Sequence, residues 1–264
     1  HTIQTIANAT IAAPGIRALF LSGSYGNGLA DAYSDIDFVM VADAGATDAT
    51  ARLWRDAIEQ TGEIVLWWDR TTVPVLINAI TSDWTRTDVI ILKRDQMAAQ
   101  TQSALQPLFE HDGIYDALSR TLPDQLPNLP KFTRQVEEFI RIIGLLPLAV
   151  GREEYINGVL GVFHLRNLLV ELLIEETGAP SRGGILHLNR LITTEQKTVL
   201  ISLPPAVPER DMMISAHLAY AKAYLPRARK RMAHLGGDWP ERFEAATWAR
   251  LGKTLSIECP YDPA

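Results

Sequence analysis

Residues 20–39 read Phe20-Leu-Ser-Gly-Ser-Tyr-Gly-Asn-Gly-Leu-Ala-Asp-Ala-Tyr-Ser-Asp-Ile-Asp-Phe-Val39, a glycine-serine loop and a pair of aspartates set between two apolar runs. The apolar run Ala18 to Leu21 predicts a strand, and Gly23-Ser24 follows after one residue. Ten residues separate Ser24 from Asp35, and Asp35-Ile36-Asp37 opens a second apolar run, Phe38 to Val41. Side chains two apart on a strand share a face, so Asp35 and Asp37 project together while Ile36 and Phe38 point into a core. Adjacent carboxylates repel each other unless a cation lies between them. All-oxygen ligation suits Mg²⁺, which is usually held by one or two carboxylates and substrate phosphates. Gly23 allows close backbone approach to a ligand, and Ser24 offers a hydroxyl and an N–H there. Together these parts predict a place for a metal–nucleoside triphosphate.

The pattern of strand, Gly23-Ser24, a spacer and Asp35-Ile36-Asp37 resembles the signature of the polymerase-β-like nucleotidyltransferases. The resemblance implies that Asp35 and Asp37 are catalytic and bind Mg²⁺, with ATP as co-substrate against Gly23 and Ser24. It also implies a third carboxylate on a strand beside the Asp-x-Asp strand. Asp88, near the start of the apolar run Thr87 to Leu92, is the matching position. Its role would be to take the proton from an attacking hydroxyl or to complete a second metal site. Many members of the family have a basic residue near position 27, where this chain has Asn27. Trp67, Trp68 and Trp84 are candidates to flank the adenine or the acceptor, against an ordinary core role.

The expected fold is an α/β N-terminal domain, a mixed sheet with flanking helices over residues 1–122, followed by an all-α helix bundle over residues 130–264. Three prolines at 121–130 mark the division. Before them, helical patterns at 2–13 and 47–61 alternate with extended runs at 63–68, 73–80 and 87–92. After them, helices are expected at 131–146, 152–177, 185–200, 209–234 and 240–251, with Pro226 kinking or splitting the fourth.

The helical half, with Arg152-Glu-Glu-Tyr-Ile156 leading into a leucine stripe at 165–173, resembles the C-terminal domain of the aminoglycoside and lincosamide adenylyltransferases. That resemblance implies a small acceptor bound between the halves. Glu153 and Glu154 are then the candidate acceptor-binding residues, with Glu137 and Glu138 behind them. Antibiotic resistance is the biological role it implies. The alternatives are nucleotidylation of a protein or RNA acceptor, as in toxin–antitoxin nucleotidyltransferases, and a nucleotide-binding module without catalysis. The intact Asp35–Asp37 pair argues against the last.

Charge and composition narrow the partners. Residues 1–125 hold 8 Lys/Arg against 16 Asp/Glu, and residues 126–264 hold 17 against 15. An acidic catalytic half is a poor match for a nucleic-acid duplex, which wants a basic track. Hydrophobic content of 47% and charged content of 21% fit a globular protein. No uninterrupted apolar run reaches the ~18 residues of a membrane span, no signal peptide is expected, and the lone Cys259 fits a reducing cytoplasm. His111, His164 and His187 read as isolated histidines without metal-ligand spacing. Arg229 and His234 share the spacing of a ribonuclease pair, but a basic helix end near the dipole's negative pole explains them better.

Overall fold

The computed structural model describes residues 1–70, 75–121, 128–178 and 188–262. The linker at 122–127, the start of the extended run at 73–74, His187 and the start of the helix expected at 185 lie outside the described residues. The chain divides into two compact units, His1–Gln125 and Leu126–Ala264.

Among the described residues of the N-terminal unit, six strands form one mixed sheet in the order β3-β4-β5-β2-β1-β6. They are β1 (Ile16–Leu21), β2 (Ile36–Ala42), β3 (Ile64–Arg70), β4 (Val75–Thr81), β5 (Arg86–Leu92) and β6 (Gln106–Glu110). Only β2 and β5 run parallel; the other pairs are antiparallel. Alternation sends Ile36, Phe38 and Met40 to one face, where they pack with α1 (Thr2–Thr10) and α3 (Asp48–Glu59). Trp54 of α3 is fully buried there, edge-on to Phe38 at 5.0 Å. Thr47 caps α3, its hydroxyl accepting from the Thr50 N–H. The opposite face carries Val39, Val41 and Leu92, covered by Met97 and Leu105 from the segment between β5 and β6 and by Ile114 from the segment after β6. Asp37 and Asp88 are on this second face, at the half-exposed end of β2 and β5.

Strand β6 departs from the expected pattern. It is short and holds Pro107, which reads as a breaker. At the sheet edge next to β1 its missing N–H costs the ladder little.

In the second unit the described helices are α4 (Leu129–Gly144), α5 (Leu146–Gly151), α6 (Tyr155–Thr177), α7 (Leu188–Leu191), α8 (Thr194–Ser202), α9 (Arg210–His234) and α10 (Glu241–Leu255). Their core centres on Phe139, Leu165, Leu169, Leu173 and Tyr224. Phe139 and Tyr224 stack with ring centroids 3.9 Å apart. Helix α6 is long and apolar enough to cross a membrane by length and composition. Here its leucine face is buried in the bundle, and ion pairs Glu175–Arg231 and Glu176–Arg227 join it to α9.

Pro226 does not split α9, which runs unbroken past it. The carbonyl left without an N–H belongs to Lys222. Lys222 and Pro226 are both exposed, so water can satisfy that group, while Leu225 and Ala228 hold the helix to the core. Arg229 is structural. It pairs with the buried Glu244 at 2.5 Å and stacks its guanidinium on Trp239. Glu244 also accepts from the Trp239 indole and from the Tyr261 hydroxyl, tying down the C-terminal segment.

Candidate functional site

Strand register builds the site. In the parallel pair Asp37 stands beside Asp88, and in the antiparallel pair Asp88 stands beside Asn78. Trp68 of β3 is opposite Asn78, so Trp68, Asn78, Asp88 and Asp37 form a row across four strands on one face. Neighbouring strands are about 4.8 Å apart, which puts the Asp37 and Asp88 carboxyl groups within reach of one shared ion. Asp35 immediately precedes β2. By the same register it faces Arg86, and the two side chains lie 3.7 Å apart. The Arg86 guanidinium also donates to the Tyr33 carbonyl at 3.0 Å.

The glycine loop, which includes the single-turn helix α2 (Gly23–Gly26), closes over this row. Gly23 has φ +55°, and a Cβ added to it would come 1.9 Å from Asp37 Oδ2. No other residue permits the loop and the carboxylate to approach so closely. The Ser22 N–H donates to the Asp37 carbonyl at 2.8 Å, and the Asn27 amide donates to the Gly23 carbonyl at 2.8 Å. Asn27 therefore holds the loop's own backbone. Ser24 Oγ is buried without a hydrogen-bond partner among the described residues, as is Asn78 Oδ1.

Electrostatics mark the same place. Burial, then the charges of Asp35 and Asp88, push the Asp37 carboxyl up to about 6; Arg86 opposes them. Among the described residues no group of three or more His, Cys, Asp and Glu could hold a metal by itself. The oxygen donors Asp35 and Asp37, beside Asp88 and the unpartnered Ser24 hydroxyl, fit a hard divalent cation that draws further ligands from a phosphate.

Residues 5–69 match the family model described as a nucleotidyltransferase domain. The chain carries a nucleotidyltransferase domain and is an enzyme of that type. The match spans Gly23, Ser24, Asp35 and Asp37 and stops before Asp88. Similar solved structures include an aminoglycoside 6-adenyltransferase from Bacillus subtilis, at 12% identity and TM-score 0.45 over 95% of each chain. Another is a nucleotidyltransferase-like protein from Exiguobacterium sibiricum 255-15, at 12% identity and TM-score 0.34 over 97% of this chain and 87% of that one. No curated protein matches the sequence.

The remaining predicted residues fall in different places. Trp67 packs on the helix-covered face under the Arg55 guanidinium, whereas Trp68 is half exposed on the nucleotidyltransferase face. Trp84 is exposed in the β4–β5 turn with φ +64°. In the helical unit Glu153 is exposed in the α5–α6 turn, with φ +56°. Glu154 and Glu138 line a cavity of about 330 Å³ within that unit, and Glu138 forms a two-bond ion pair with Arg141. Glu137 is exposed and is not part of the cavity wall. Arg86 and Asn78 were not singled out from sequence. The signal for Arg86 was its position two residues before Asp88 on one strand, which gives both the same face. For Asn78 it was a lone amide within the apolar run of β4.

Proposed function

We propose that the nucleotidyltransferase transfers AMP from MgATP to a hydroxyl of a small acceptor and releases pyrophosphate. The observation that carries this reading is the in-register pairing of Asp37 with Asp88 on parallel strands, closed by a glycine that touches Asp37. Asp35 and Asp37 would hold Mg²⁺, and the bound cation supplies charge neutralisation for the polyphosphate. The triphosphate is received by the loop at Gly23 and Ser24, where the unpartnered serine hydroxyl gains a partner. Asp88 takes the proton from the acceptor hydroxyl. The freed oxygen attacks the α-phosphorus, the bond to the bridging oxygen of the β-phosphate breaks, and pyrophosphate leaves in line. Such a geometry needs attacking oxygen and phosphorus about 3–3.5 Å apart before reaction. The resemblance to antibiotic adenylyltransferases favours a hydroxylated antibiotic as acceptor and ATP as the donor, and a cytoplasmic enzyme would meet both.

The test is incubation of the full chain with labelled ATP, MgCl₂ and a panel of lincosamides and aminoglycosides, reading pyrophosphate and labelled product. Acceptor-dependent pyrophosphate release that disappears in Asp37→Asn is expected. Release that is unaffected by the substitution, or no release with any acceptor, would overturn the proposal.

A further inference from the structure

Two exposed aromatic residues of the N-terminal unit, Tyr33 and Trp84, stand at the end of the sheet where β2 and β5 begin. Tyr33 is 88% exposed and Trp84 75%. They bracket Arg86. Trp84 precedes it by two residues, about 7 Å of extended chain, and the Arg86 guanidinium donates to the Tyr33 carbonyl at 3.0 Å. Both rings are carried on hydrogen-bonded turns. The Tyr33 N–H donates to Asp31 Oδ1, and the Ser34 N–H donates to the Asp31 carbonyl. Beside Trp84, the Asp83 carboxylate accepts from the Thr81 and Thr85 hydroxyls and from the Thr85 N–H.

The backbone at Trp84 is the unusual feature. The Thr81 N–H donates to the Thr85 carbonyl and the Trp84 N–H donates to the Thr81 carbonyl, which closes a hairpin loop of Ser82, Asp83 and Trp84. The last residue of such a loop is left-handed, and Trp84 has φ +64°. Glycine is the ordinary occupant there, because a Cβ is strained in that conformation. A tryptophan that is three-quarters exposed gains little from burial to offset the strain. Strain of this kind clusters at sites that bind a ligand.

The reaction geometry supplies that ligand. With the triphosphate tail on the Gly23–Ser24 loop beside β1 and the attacking hydroxyl at Asp88 on β5, the line from leaving to attacking oxygen crosses the strands. The other three oxygens of the α-phosphorus surround that line, and one of them carries the nucleoside. Toward the C-terminal ends of β2 and β5 the face is packed under Met97, Leu105 and Ile114. Toward their N-terminal ends it is bounded by Arg86 and the turns of Tyr33 and Trp84. We propose that the base of the nucleoside triphosphate rests on Trp84, with Tyr33 as a second wall, and that this subsite selects a purine by ring area without reading one particular base. Its orientation rests on the transfer reading above. Every base has a π-face, so stacking alone tolerates them all, and a bicyclic ring covers more of the indole. The neighbouring Asp83 carboxylate is already engaged by three donors within its own turn, so it adds little recognition of the base edge.

Calorimetric titration of the full chain in MgCl₂ tests this, with non-hydrolysable analogues of ATP, GTP and CTP and with inorganic tripolyphosphate, which has the charge but no base. The ATP and GTP analogues should bind alike and the CTP analogue more weakly. Trp84→Gly should weaken the ATP analogue by about tenfold or more and leave tripolyphosphate unchanged. Its melting temperature should be no lower than the parent's, since glycine takes the left-handed position without strain. Trp84→Asn, which also tolerates that backbone, should act the same way and covers the case in which the glycine variant folds poorly. Tyr33→Ala should weaken the ATP analogue in the same selective manner. ATP-analogue binding indifferent to both Trp84 substitutions, an equal loss of tripolyphosphate binding, or a lower melting temperature in both Trp84 variants would overturn the proposal. Asp37-dependent pyrophosphate release that is unchanged in Trp84→Gly at limiting ATP would refute the base subsite and leave the transfer reading standing. Loss of ATP-analogue but not tripolyphosphate binding, in a chain that releases no pyrophosphate with any acceptor, would support the subsite and refute the transfer reading.

Discussion

Replacing Asp37 with Asn should stabilise the ligand-free protein while abolishing turnover. Asp37 is raised from an ordinary value of 3.8 to about 6 by burial and by the charges of Asp35 and Asp88. A carboxyl shifted that far opposes folding by about 3 kcal/mol once ionised. Asp37 is only partly buried, and solvent screening reduces this to about 1–2 kcal/mol. The sign follows from the folded value lying above the unfolded one. The favourable contribution is fully present below about pH 4 and is lost as pH rises through 6. Asn carries no charge at any pH. The variant should therefore match the parent near pH 4 and exceed it by about 1–2 kcal/mol at pH 7. For a unit spanning His1–Gln125 that corresponds to a rise in melting temperature of about 4–8 °C. Urea and thermal unfolding of the full chain at pH 4 and pH 7, followed by fluorescence of the buried Trp54, provide the measurement. MgCl₂ with a non-hydrolysable ATP analogue gives the second readout. At ten times its Kd the ligand should add about 1.4 kcal/mol to the parent and little to the variant. A variant no more stable than the parent at pH 7, or one that keeps the ligand effect and near-parental turnover, would refute the reasoning.

Asp88→Asn should lower kcat by about 10²–10⁴ with little change in MgATP affinity, as expected for a general base; a large loss of metal-dependent binding in calorimetry would make Asp88 a ligand instead. Gly23→Ala should cost about 1–3 kcal/mol in urea unfolding and at least about 10² in turnover, because the added Cβ meets Asp37 Oδ2 at 1.9 Å and must displace it. Glu244→Ala should destabilise the helical unit by about 3–5 kcal/mol, read by circular dichroism, since it leaves the guanidinium of Arg229 and the Trp239 and Tyr261 donors without their shared acceptor.

The central strands and the placing of Asp35 and Asp37 beside the glycine loop were legible because they are local. Gly23-Ser24 and Asp35-Ile36-Asp37 lie within fifteen residues of one another, and alternation sorts Ile36 and Phe38 from Asp37 without any tertiary information. The helical unit was legible in outline from leucine periodicity. What sequence did not supply depends on which strand lies beside which. Local sequence does not place Arg86 opposite Asp35, or Asn78 and Trp68 in line with Asp88, because sheet order and register decide those neighbours. Edge strand β6 was hidden by Pro107, whose cost depends on edge position. The split offered as one outcome at Pro226 does not occur, because the effect of the proline depends on whether Lys222 faces water. The cavity around His217 was hidden for a similar reason: four helices from α4 to α9 contribute to it, and no window of sequence contains it.

The nucleotidyltransferase face concentrates negative charge. Three carboxylates gather at one end of two adjacent strands, and the basic group that opposes their effect on Asp37 is Arg86. Arg86 is 3.7 Å from Asp35 and also committed to the Tyr33 carbonyl, so its compensation is partial. A flexible site would relieve the repulsion by spreading apart. This one is prevented from doing so by what surrounds it. Phe38, Val39 and Val89, one or two residues along the same strands, are essentially fully buried. The Ser22–Asp37 backbone hydrogen bond and the contact at Gly23 fix the loop on the other side. The free energy of the two cores therefore holds the carboxylates in a geometry that repulsion disfavours, and that a bound cation would relieve. On the transfer mechanism proposed above, cation affinity would come from the sheet that keeps Asp37 and Asp88 in register as much as from the carboxylates themselves.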